Sequence, residues 1–277
     1  MLSHFILVLA TASAAAAQWS AMDSERHLRA KNKTTTAPGT AAPRGDIHSG
    51  TWPTSTGLVQ YDKPYVVKAG ETFDGGMKTY ERSNVQCEGQ KEGGPEHTVF
   101  LLEPGATLKN AIIGKNQREG VHCDKHDCTI DNVWWDDVCE DAFTIKGGTA
   151  SSVTHVRGCG ARHAEDKVIQ HNGPGKVVID GFYAQDFGKL YRSCGTCGNI
   201  QRQVAMSNVL AVSPKVSVVT INENFKDHAV LDNIRIENKN KATVCAWTEG
   251  TDGKSEPKKI GDGSKPGLCD LSSITEQ

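Results

Sequence analysis

The sequence predicts an all-β fold, a right-handed parallel β-helix in which the chain winds through stacked coils of short strands. A unit of two apolar residues separated by two others recurs six times, at intervals of 22, 23, 26, 27 and 25 residues. The β-branched runs are short and are separated by Gly, Asn and Asp, and no segment has the periodicity of a long amphipathic helix. Sandwich strands recur every ~8–12 residues, so an interval in the twenties favours the coils of a solenoid.

The repeated unit often carries Asn in its third position. The six units begin at Leu108, Ile130, Val153, Ile179, Met206 and Leu231. Asn tolerates the left-handed backbone of a tight turn, and side-chain amides can stack between coils. We therefore expect Asn110, Asn132, Asn208 and Asn233 at equivalent turns. A leucine-rich solenoid follows the same logic, but its Leu and Asn pattern is missing.

The chain divides into four predicted segments by composition. Residues 1–17 contain an apolar core followed by small residues, which is typical of a secretory signal peptide. Residues 18–60 are rich in Thr, Ala, Pro, Ser and Gly without a hydrophobic period and predict a flexible leader. Residues 61–245 are expected to form the β-helix domain. Residues 246–277 are expected to form a C-terminal tail, and the end of the chain is expected to be partly mobile apart from Cys245 and Cys269.

The overall charge gives no pull toward nucleic acid or membranes, because 31 basic residues oppose 33 acidic ones. After the signal peptide no stretch is apolar enough for a membrane span. We expect a secreted monomer without nucleic-acid or membrane partners. Binding of a polyanion must then depend on a local cluster of basic residues.

The nine cysteines predict disulfides in a secreted chain, and the odd number leaves at least one unpaired. The CxxC pair is a poor zinc or redox motif here, because no second CxxC is present and the predicted compartment is oxidising. Sequence does not fix the connectivity. Three pairs are close enough in sequence or in repeat spacing to be candidates: Cys123–Cys128, Cys194–Cys197 and Cys139–Cys159.

A dense acid cluster lies between β-branched and aromatic residues. Asp136, Asp137, Glu140 and Asp141 occupy four of six successive positions. Such carboxylates repel one another unless a cation lies among them, and oxygen ligands indicate Ca²⁺ rather than a softer metal. Mg²⁺ and Mn²⁺ are less favoured, and a solvated acidic turn is the simpler alternative.

Residues one coil apart in a solenoid become neighbours at ~4.8 Å, so charged positions at coil spacing are expected on one face. In strand order these positions are Glu119, Glu140 with Asp141, Lys167, and Lys189 with Arg192. They predict a cation site facing a basic row, which suits an anionic polymer. Adjacent strand residues point to opposite faces, so joint use of both acids requires a bend between them.

Four motifs together resemble the small pectate lyases of the third polysaccharide-lyase family, from about Tyr65 to about Lys239. They are Glu119-Gly-Val-His-Cys, Trp135-Asp-Asp-Val-Cys-Glu-Asp-Ala, Asp166-Lys-Val-Ile-Gln and Phe187-Gly-Lys-Leu-Tyr-Arg-Ser-Cys-Gly. The resemblance implies calcium-dependent cleavage of polygalacturonate by β-elimination, giving 4,5-unsaturated oligogalacturonides. It also implies the β-helix expected from the repeat.

The resemblance assigns roles to the charged residues. It implies Glu119, Glu140 and Asp141 as calcium ligands, although the family commonly has Asp at the first of these positions. It implies Lys167, Lys189 and Arg192 as catalytic and substrate-binding cations. We favour Lys167 as the base, Arg192 as stabiliser of the enolate-like intermediate and Lys189 as the holder of a substrate carboxylate, with the first two roles exchanged as the alternative. Asp137 is expected to support the metal and Asp166 to orient Lys167.

Other side chains have two interpretations each. His122 and His171 are candidates for ligands or acid–base groups, but hydrogen bonding between coils explains them equally simply. Either Trp134 or Trp135 can stack on sugars while the other packs. Two rival functions also remain: a polygalacturonase-like hydrolase, which needs paired carboxylic acids and leaves the basic row unexplained, and a non-catalytic wall-binding or elicitor protein on the same fold.

Overall fold

The computed structural model describes residues 46–238 and 241–277. Within these ranges the chain forms fifteen strands and one short 3₁₀ turn, Pro95–His97. The strands stack almost entirely in parallel, so the predicted all-β, parallel β-helix architecture is confirmed. The predicted signal peptide and most of the predicted leader lie outside the described residues. Among the described residues, no helix is long and apolar enough to cross a membrane.

The strands vary in length along the solenoid. In chain order they are β1 Leu58–Tyr61, β2 Tyr65–Val67, β3 Thr72–Arg82, β4 Thr98–Leu102, β5 Thr107–Ile113, β6 Glu119–Cys123, β7 Thr129–Trp135, β8 Asp141–Ile145, β9 Val153–His171, β10 Gly175–Ser193, β11 Arg202–Asn222, β12 His228–Glu237, β13 Thr243–Glu249, β14 Lys258–Asp262 and β15 Cys269–Glu276.

Two paths of paired strands run along the solenoid. The first follows β1-β3-β5-β7-β9-β10-β11-β12-β15, and the second follows β2-β4-β6-β8-β9. The long strands β9, β10 and β11 bend from one path into the other, and β13 pairs with β11 in parallel. Between named strands of the described ranges, β13 and β14 form an antiparallel pair.

The strand register confirms the repeat and corrects one unit. Leu108 pairs with Ile130, and Ile130 pairs with Val156, not with Val153 as the sequence predicted. Both Val153 and Val156 begin an apolar-x-x-apolar unit, so the pattern alone does not separate them. Gly158 identifies the true unit, because its φ of 56° supplies the left-handed turn that Asn supplies in other coils.

The four predicted Asn turns are present. Asn110, Asn132, Asn208 and Asn233 have φ values of 52°, 55°, 57° and 57°. The Nδ2 group of Asn132 donates to Oδ1 of Asn110 at 2.9 Å, and Asn233 donates to Asn208 in the same way at 2.8 Å. The predicted stacking of amides between coils is therefore confirmed for both pairs.

The two adjacent tryptophans point to opposite sides of their strand. Trp135 is buried in the main core inside the coils, next to Phe143. Trp134 packs outside the coils with Tyr183, and Trp52 covers it with an edge-on contact at 5.0 Å. Neither indole lines the charged cavity described below, so the suggested sugar-stacking role has no support in this structure.

The observed β-helix extends beyond both predicted boundaries of the domain. At the first end, β1 begins at Leu58 and Trp52 already packs on the coils, although both lie in the predicted leader. At the other end, β14 and β15 lie in the predicted tail, and β15 continues the main sheet. Several Gly and Lys residues and two Pro interrupt this region of the sequence, so its short strands carry no clear hydrophobic pattern.

All nine cysteines lie in the described ranges, where eight form four disulfides. The predicted Cys123–Cys128 and Cys194–Cys197 bridges are confirmed, but the predicted Cys139–Cys159 bridge is wrong. Cys159 is free and fully buried in the core beside Phe182, whereas Cys139 lies in the bend before β8. The remaining bridges are Cys87–Cys139 and Cys245–Cys269.

Candidate active site

Strand register places the predicted charged residues in one row. Glu119 pairs with Asp141, Asp141 with Lys167, and Lys167 with Lys189. Arg192 follows three residues later in β10 and pairs with residues of a neighbouring row. Glu140 lies in a bend directly before β8, which is the break in strand geometry that joint use of both acids requires.

Lys167 is surrounded by carboxylates. Its Nζ atom lies 2.6 Å from Oε1 of Glu140, 3.3 Å from Oδ1 of Asp141 and 3.3 Å from Oδ2 of Asp166. Burial on its own lowers the pKa of Lys167, but Asp141 and Glu140 outweigh burial and the pKa is raised. The amine is therefore a cation in this arrangement. Asp166 also contacts Lys189, so it orients both lysines.

Two of the buried acids have carboxylate oxygens that accept no hydrogen bond. Burial raises the pKa of Glu140 and raises the pKa of Asp141 strongly, while Lys167 opposes both shifts. Burial also acts to raise the pKa of Glu119, but hydrogen bonds from His122 (3.0 Å) and the Gly93 backbone (3.1 Å) prevail and lower it. Oε2 of Glu140 is buried without a hydrogen-bond partner, and Oδ1 of Asp141 accepts no hydrogen bond, although the Lys167 ammonium lies 3.3 Å from it.

One further acid, Glu92, belongs to this cluster and was not predicted from the sequence. Oxygens of Glu92, Glu119 and Glu140 lie within 4.8 Å of one another, a spacing that a single divalent cation can span. Glu92 belongs to the loop before the 3₁₀ turn, which the Cys87–Cys139 disulfide ties to the bend at Glu140. No repeat or motif marked this position, because the loop reaches the site only through the tertiary fold.

The acids and cations line two cavities that share residues. The larger has a volume of about 500 Å³, and the smaller about 220 Å³. Glu140, Asp166, Lys167, Lys189 and Arg192 line the larger one. Glu119 and Asp141 line the smaller one, and the shared residues are Glu92, Gln170, Cys194 and Thr196. An anionic ligand in the larger cavity therefore lies against three cations and beside the acid cluster.

Arg192 differs from the lysines in its partners. It is 9% exposed, and its Nη1 group donates to the Thr248 hydroxyl at 3.1 Å. Burial lowers the pKa of Arg192, and the negative charge of Asp227 opposes this. In the described part of the chain no carboxylate forms an ion pair with Arg192. Its guanidinium is therefore available to an anionic ligand.

Two predicted residues lie away from the acid cluster. Asp137 lines a separate cavity with Asp136 and Arg162, so the structure does not bring it to the metal candidates. His171 is fully buried between Tyr191 (2.7 Å) and His126 (3.1 Å), and it has a structural place between coils. His122 is buried beside the acid cluster, where its Nε2 atom lies 3.0 Å from Oε2 of Glu119.

Stacked parallel coils that set buried carboxylates beside two lysines and an arginine define a β-helical enzyme with a charged cleft. The chain belongs to the pectate lyase family, whose model matches residues 49–255. The resemblance to pectate lyases and the enzyme class inferred from sequence are thereby confirmed. The match covers the whole row of charged residues described above.

Relatives and solved structures agree with the family assignment. The chain is 54% identical over 213 residues to a probable pectate lyase E of Neosartorya fischeri, covering 76% of this chain and 80% of the relative. It is 49% identical over 208 residues to a probable pectate lyase G of Emericella nidulans, covering 75% and 79%. Pectate lyase PelI of Erwinia chrysanthemi, solved in complex with tetragalacturonic acid, superposes with a TM-score of 0.63 at 28% identity, covering 76% of this chain and 69% of that one. Pectate lyase Pel3 of Pectobacterium carotovorum gives a TM-score of 0.65 at 28% identity, covering 88% and 74%.

Proposed function

We propose that this protein is a secreted, calcium-dependent pectate lyase that cleaves polygalacturonate by β-elimination. The observation that carries the proposal is the lining of the larger cavity, in which Lys167, Lys189 and Arg192 lie beside the buried acid Glu140. A polymer with one carboxylate per sugar finds complementary cations there. A hydrolase needs two acids poised for proton transfer and water, and it leaves this cationic side of the cavity without a role.

The proposed calcium ligands are Glu119, Glu140 and Asp141, with Glu92 as a further ligand from the loop. The donor set fits Ca²⁺, because it consists of carboxylates and includes Oε2 of Glu140, a buried oxygen that lacks a partner. When bound, calcium supplies positive charge that offsets both the acid cluster and the substrate carboxylate. Asp137 has no place in this set.

The reaction removes the proton at C5 of a galacturonate, beside the carboxylate, and expels the substituent at C4. The electron pair left at C5 forms the C4–C5 double bond, while the C4 oxygen leaves with its bonding pair and takes up a proton from water. We propose Lys167 as the base that takes the proton. Glu140 and Asp141 raise the pKa of Lys167 here, so the role requires that these acids be neutralised by a cation other than its own ammonium.

Arg192 and Lys189 have supporting roles in this proposal. Arg192 is buried and remains a cation, so it suits the negative charge that develops on the substrate carboxylate during proton removal. Lys189, held by Asp166, binds a substrate carboxylate at the same cavity. Exchange of the roles of Lys167 and Arg192 is the alternative, and chemical rescue of the two alanine variants by added amines or guanidines separates the two assignments.

Secretion is part of the proposal. The first 17 residues have the composition of a signal peptide. Four disulfides support an oxidising compartment, since such bridges seldom persist in the cytosol. Expression with the native leader, followed by N-terminal sequencing of protein from the medium, tests it. Retention of residues 1–17 on the mature protein contradicts it.

The function is tested with polygalacturonate and Ca²⁺ in alkaline buffer, with and without a chelator. The expected result is a chelator-sensitive rise in ultraviolet absorbance from the 4,5-unsaturated product. New reducing ends without that absorbance indicate hydrolysis. Binding of polygalacturonate without either signal indicates the wall-binding alternative.

A further inference from the structure

The C-terminal segment that follows the predicted domain closes one side of the larger cavity. Thr248 in β13 and Pro257 before β14 both line it. The backbone N–H of Thr251 donates to the carbonyl of Gly195 at 2.6 Å, which fixes this segment to the end of β10. Arg192 therefore lies between its own strand and a segment more than fifty residues later in the chain.

We propose that Thr248 is a positioning residue for Arg192, and that the buried groups behind it, Asn222 with Asp227 and neighbouring backbone carbonyls, set the polarity of its hydroxyl. The inference rests on the role of Arg192 under the proposed function and adds residues to which no role has been assigned above. Thr248, Asn222 and Asp227 are 7%, 0% and 1% exposed, so water does not compete for their hydrogen bonds.

The acceptors around Asn222 set the direction of the hydrogen bonds in this chain. One oxygen of the Asp227 carboxylate accepts from Nδ2 of Asn222 at 3.0 Å and from the backbone N–H of Asn222 at 2.8 Å. Nδ2 of Asn222 also donates to the backbone carbonyls of Ser193 at 3.2 Å and Cys194 at 3.1 Å. Because a carbonyl oxygen only accepts, the Asn222 amide must direct Nδ2 to this side and its Oδ1 atom toward Thr248.

Thr248 faces two acceptors on the side away from Arg192. Its hydroxyl lies 2.8 Å from Oδ1 of Asn222 and 3.1 Å from the backbone carbonyl of Ile221, and a hydroxyl has only one hydrogen to donate. With that hydrogen directed to either acceptor, the Thr248 oxygen presents its lone pairs to Nη1 of Arg192 at 3.1 Å. The guanidinium is thus held by an acceptor whose polarity the buried groups behind it set.

Backbone packing limits the space around the second Nη group of the guanidinium. A Cβ atom on Gly195 would overlap both Nη2 of Arg192 and Cγ of Pro257. Gly195 does not have a left-handed φ, so space and not backbone conformation requires glycine here. Arg192 is therefore confined between Thr248 and the Gly195 backbone, and both contacts limit where it meets a substrate.

The test compares Thr248→Val with Thr248→Ser in the full-length enzyme, with Arg192→Ala and Arg192→Lys as reference variants. Valine keeps the shape of threonine but removes the hydroxyl, whereas serine keeps the hydroxyl. We expect Thr248→Val to lower kcat about 10- to 100-fold, the cost of misplacing a reacting group by roughly 1 Å. The KM for polygalacturonate should change by less than about twofold, because Arg192 acts mainly in the transition state. Thr248→Ser should retain most of kcat.

A double-mutant cycle separates positioning from a general loss of structure. In the Arg192→Lys background, Thr248→Val should lower kcat far less than in the wild-type background, because the guanidinium that it orients is gone. Thr154→Val is the matched control, since this buried threonine bonds His126 in the core and lines neither cavity. It should lower the free energy of unfolding without lowering kcat.

The outcomes are distinguishable. Wild-type kcat in Thr248→Val, equal losses in the valine and serine variants, or additive effects in the cycle each overturn the positioning role while leaving the lyase proposal intact. Full turnover in Arg192→Ala removes both the role of Arg192 and this inference. Gly195→Ala gives an independent check, because the added methyl group displaces the same guanidinium and should lower kcat with little change in KM.

Discussion

The ammonium group of Lys167 lies 2.6 Å from the carboxylate of Glu140, its neighbour one coil away and 27 residues earlier in the chain. This pair joins the two halves of the site, the acid cluster and the basic row. Each half therefore sets the charge state of the other. A change to either residue should alter both metal binding and proton transfer.

Lys167→Ala is expected to abolish turnover of polygalacturonate with the fold intact, because it removes the proposed base. Small primary amines added to the medium should restore part of the rate, and the restored rate should rise with the basicity of the amine. Product absorbance measures the rate, and circular dichroism checks the fold. Lys189→Ala is the matched control, whose lost activity amines should not restore. Normal turnover in Lys167→Ala would remove this residue from the mechanism. If added guanidines restore turnover to Arg192→Ala, and the restored rate rises with the basicity of the guanidine, the base is Arg192 instead.

Glu140→Gln is expected to raise the calcium requirement about tenfold or more, because it keeps the size of the side chain and removes one charged ligand. Titration of Ca²⁺ by calorimetry measures the affinity independently of turnover. Glu92→Gln should have a smaller effect, since Glu92 is exposed and lies on a loop. Glu237→Gln, at a surface ion pair with Arg235, is the control. An unchanged titration in Glu140→Gln would exclude it as a ligand.

The sequence located most of the charged row because a solenoid converts coil spacing into contact. Glu119, Asp141, Lys167 and Lys189 are neighbours in register, as their spacing predicted. Glu92 was not predictable in this way, because it reaches the site from a disulfide-tied loop outside the coils. Thr248 lies one coil after Asn222 in register, but the predicted domain ended at residue 245 and so left it out.

The fold itself was predictable from repeated units, but the register of one coil was not. Val153 and Val156 both satisfy the apolar pattern, and Gly158 distinguishes them only when a positive φ is known to be required. The Cys139–Cys159 pairing failed for a related reason. Coil spacing brings strands together, but it does not state whether a side chain points into the core, as that of Cys159 does.

Acid should destabilise the fold through its buried histidines. Burial, with contributions from His126 and Arg202, lowers the pKa of His171 well below the ordinary 6.5. Below about pH 6.5 His171 therefore binds a proton in the unfolded chain but not in the folded chain. The free energy of unfolding then falls as the pH falls toward the folded pKa, by up to ~1.4 kcal/mol per pH unit for one histidine. Above about pH 6.5 His171 is neutral in both the folded and the unfolded chain, so this destabilisation is absent.

Denaturant unfolding at a series of pH values measures this slope. In His171→Gln the slope between about pH 6.5 and pH 5 should decrease, because one refused proton is removed from the balance. His163→Gln, at an exposed position, keeps the buried histidines and should keep the slope. Equal slopes in wild type and His171→Gln would show that this histidine does not control acid stability.

Asn132 tests whether the turn ladder stabilises the coils through backbone geometry. Its φ is 55°, and its side chain donates to Asn110 at 2.9 Å and accepts from the Trp134 indole at 2.8 Å. Asn132→Ala should lower the free energy of unfolding by about 2–3 kcal/mol, from left-handed strain of ~1–2 kcal/mol and the lost hydrogen bonds. Asn132→Gly loses the same hydrogen bonds, but glycine adopts the left-handed φ without strain, so it should be the more stable of the two variants. This order reverses the usual one, in which glycine is the more destabilising residue within a regular element. Alanine equal to or more stable than glycine in denaturant unfolding would show that side-chain stacking, and not the left-handed turn, is what the ladder contributes.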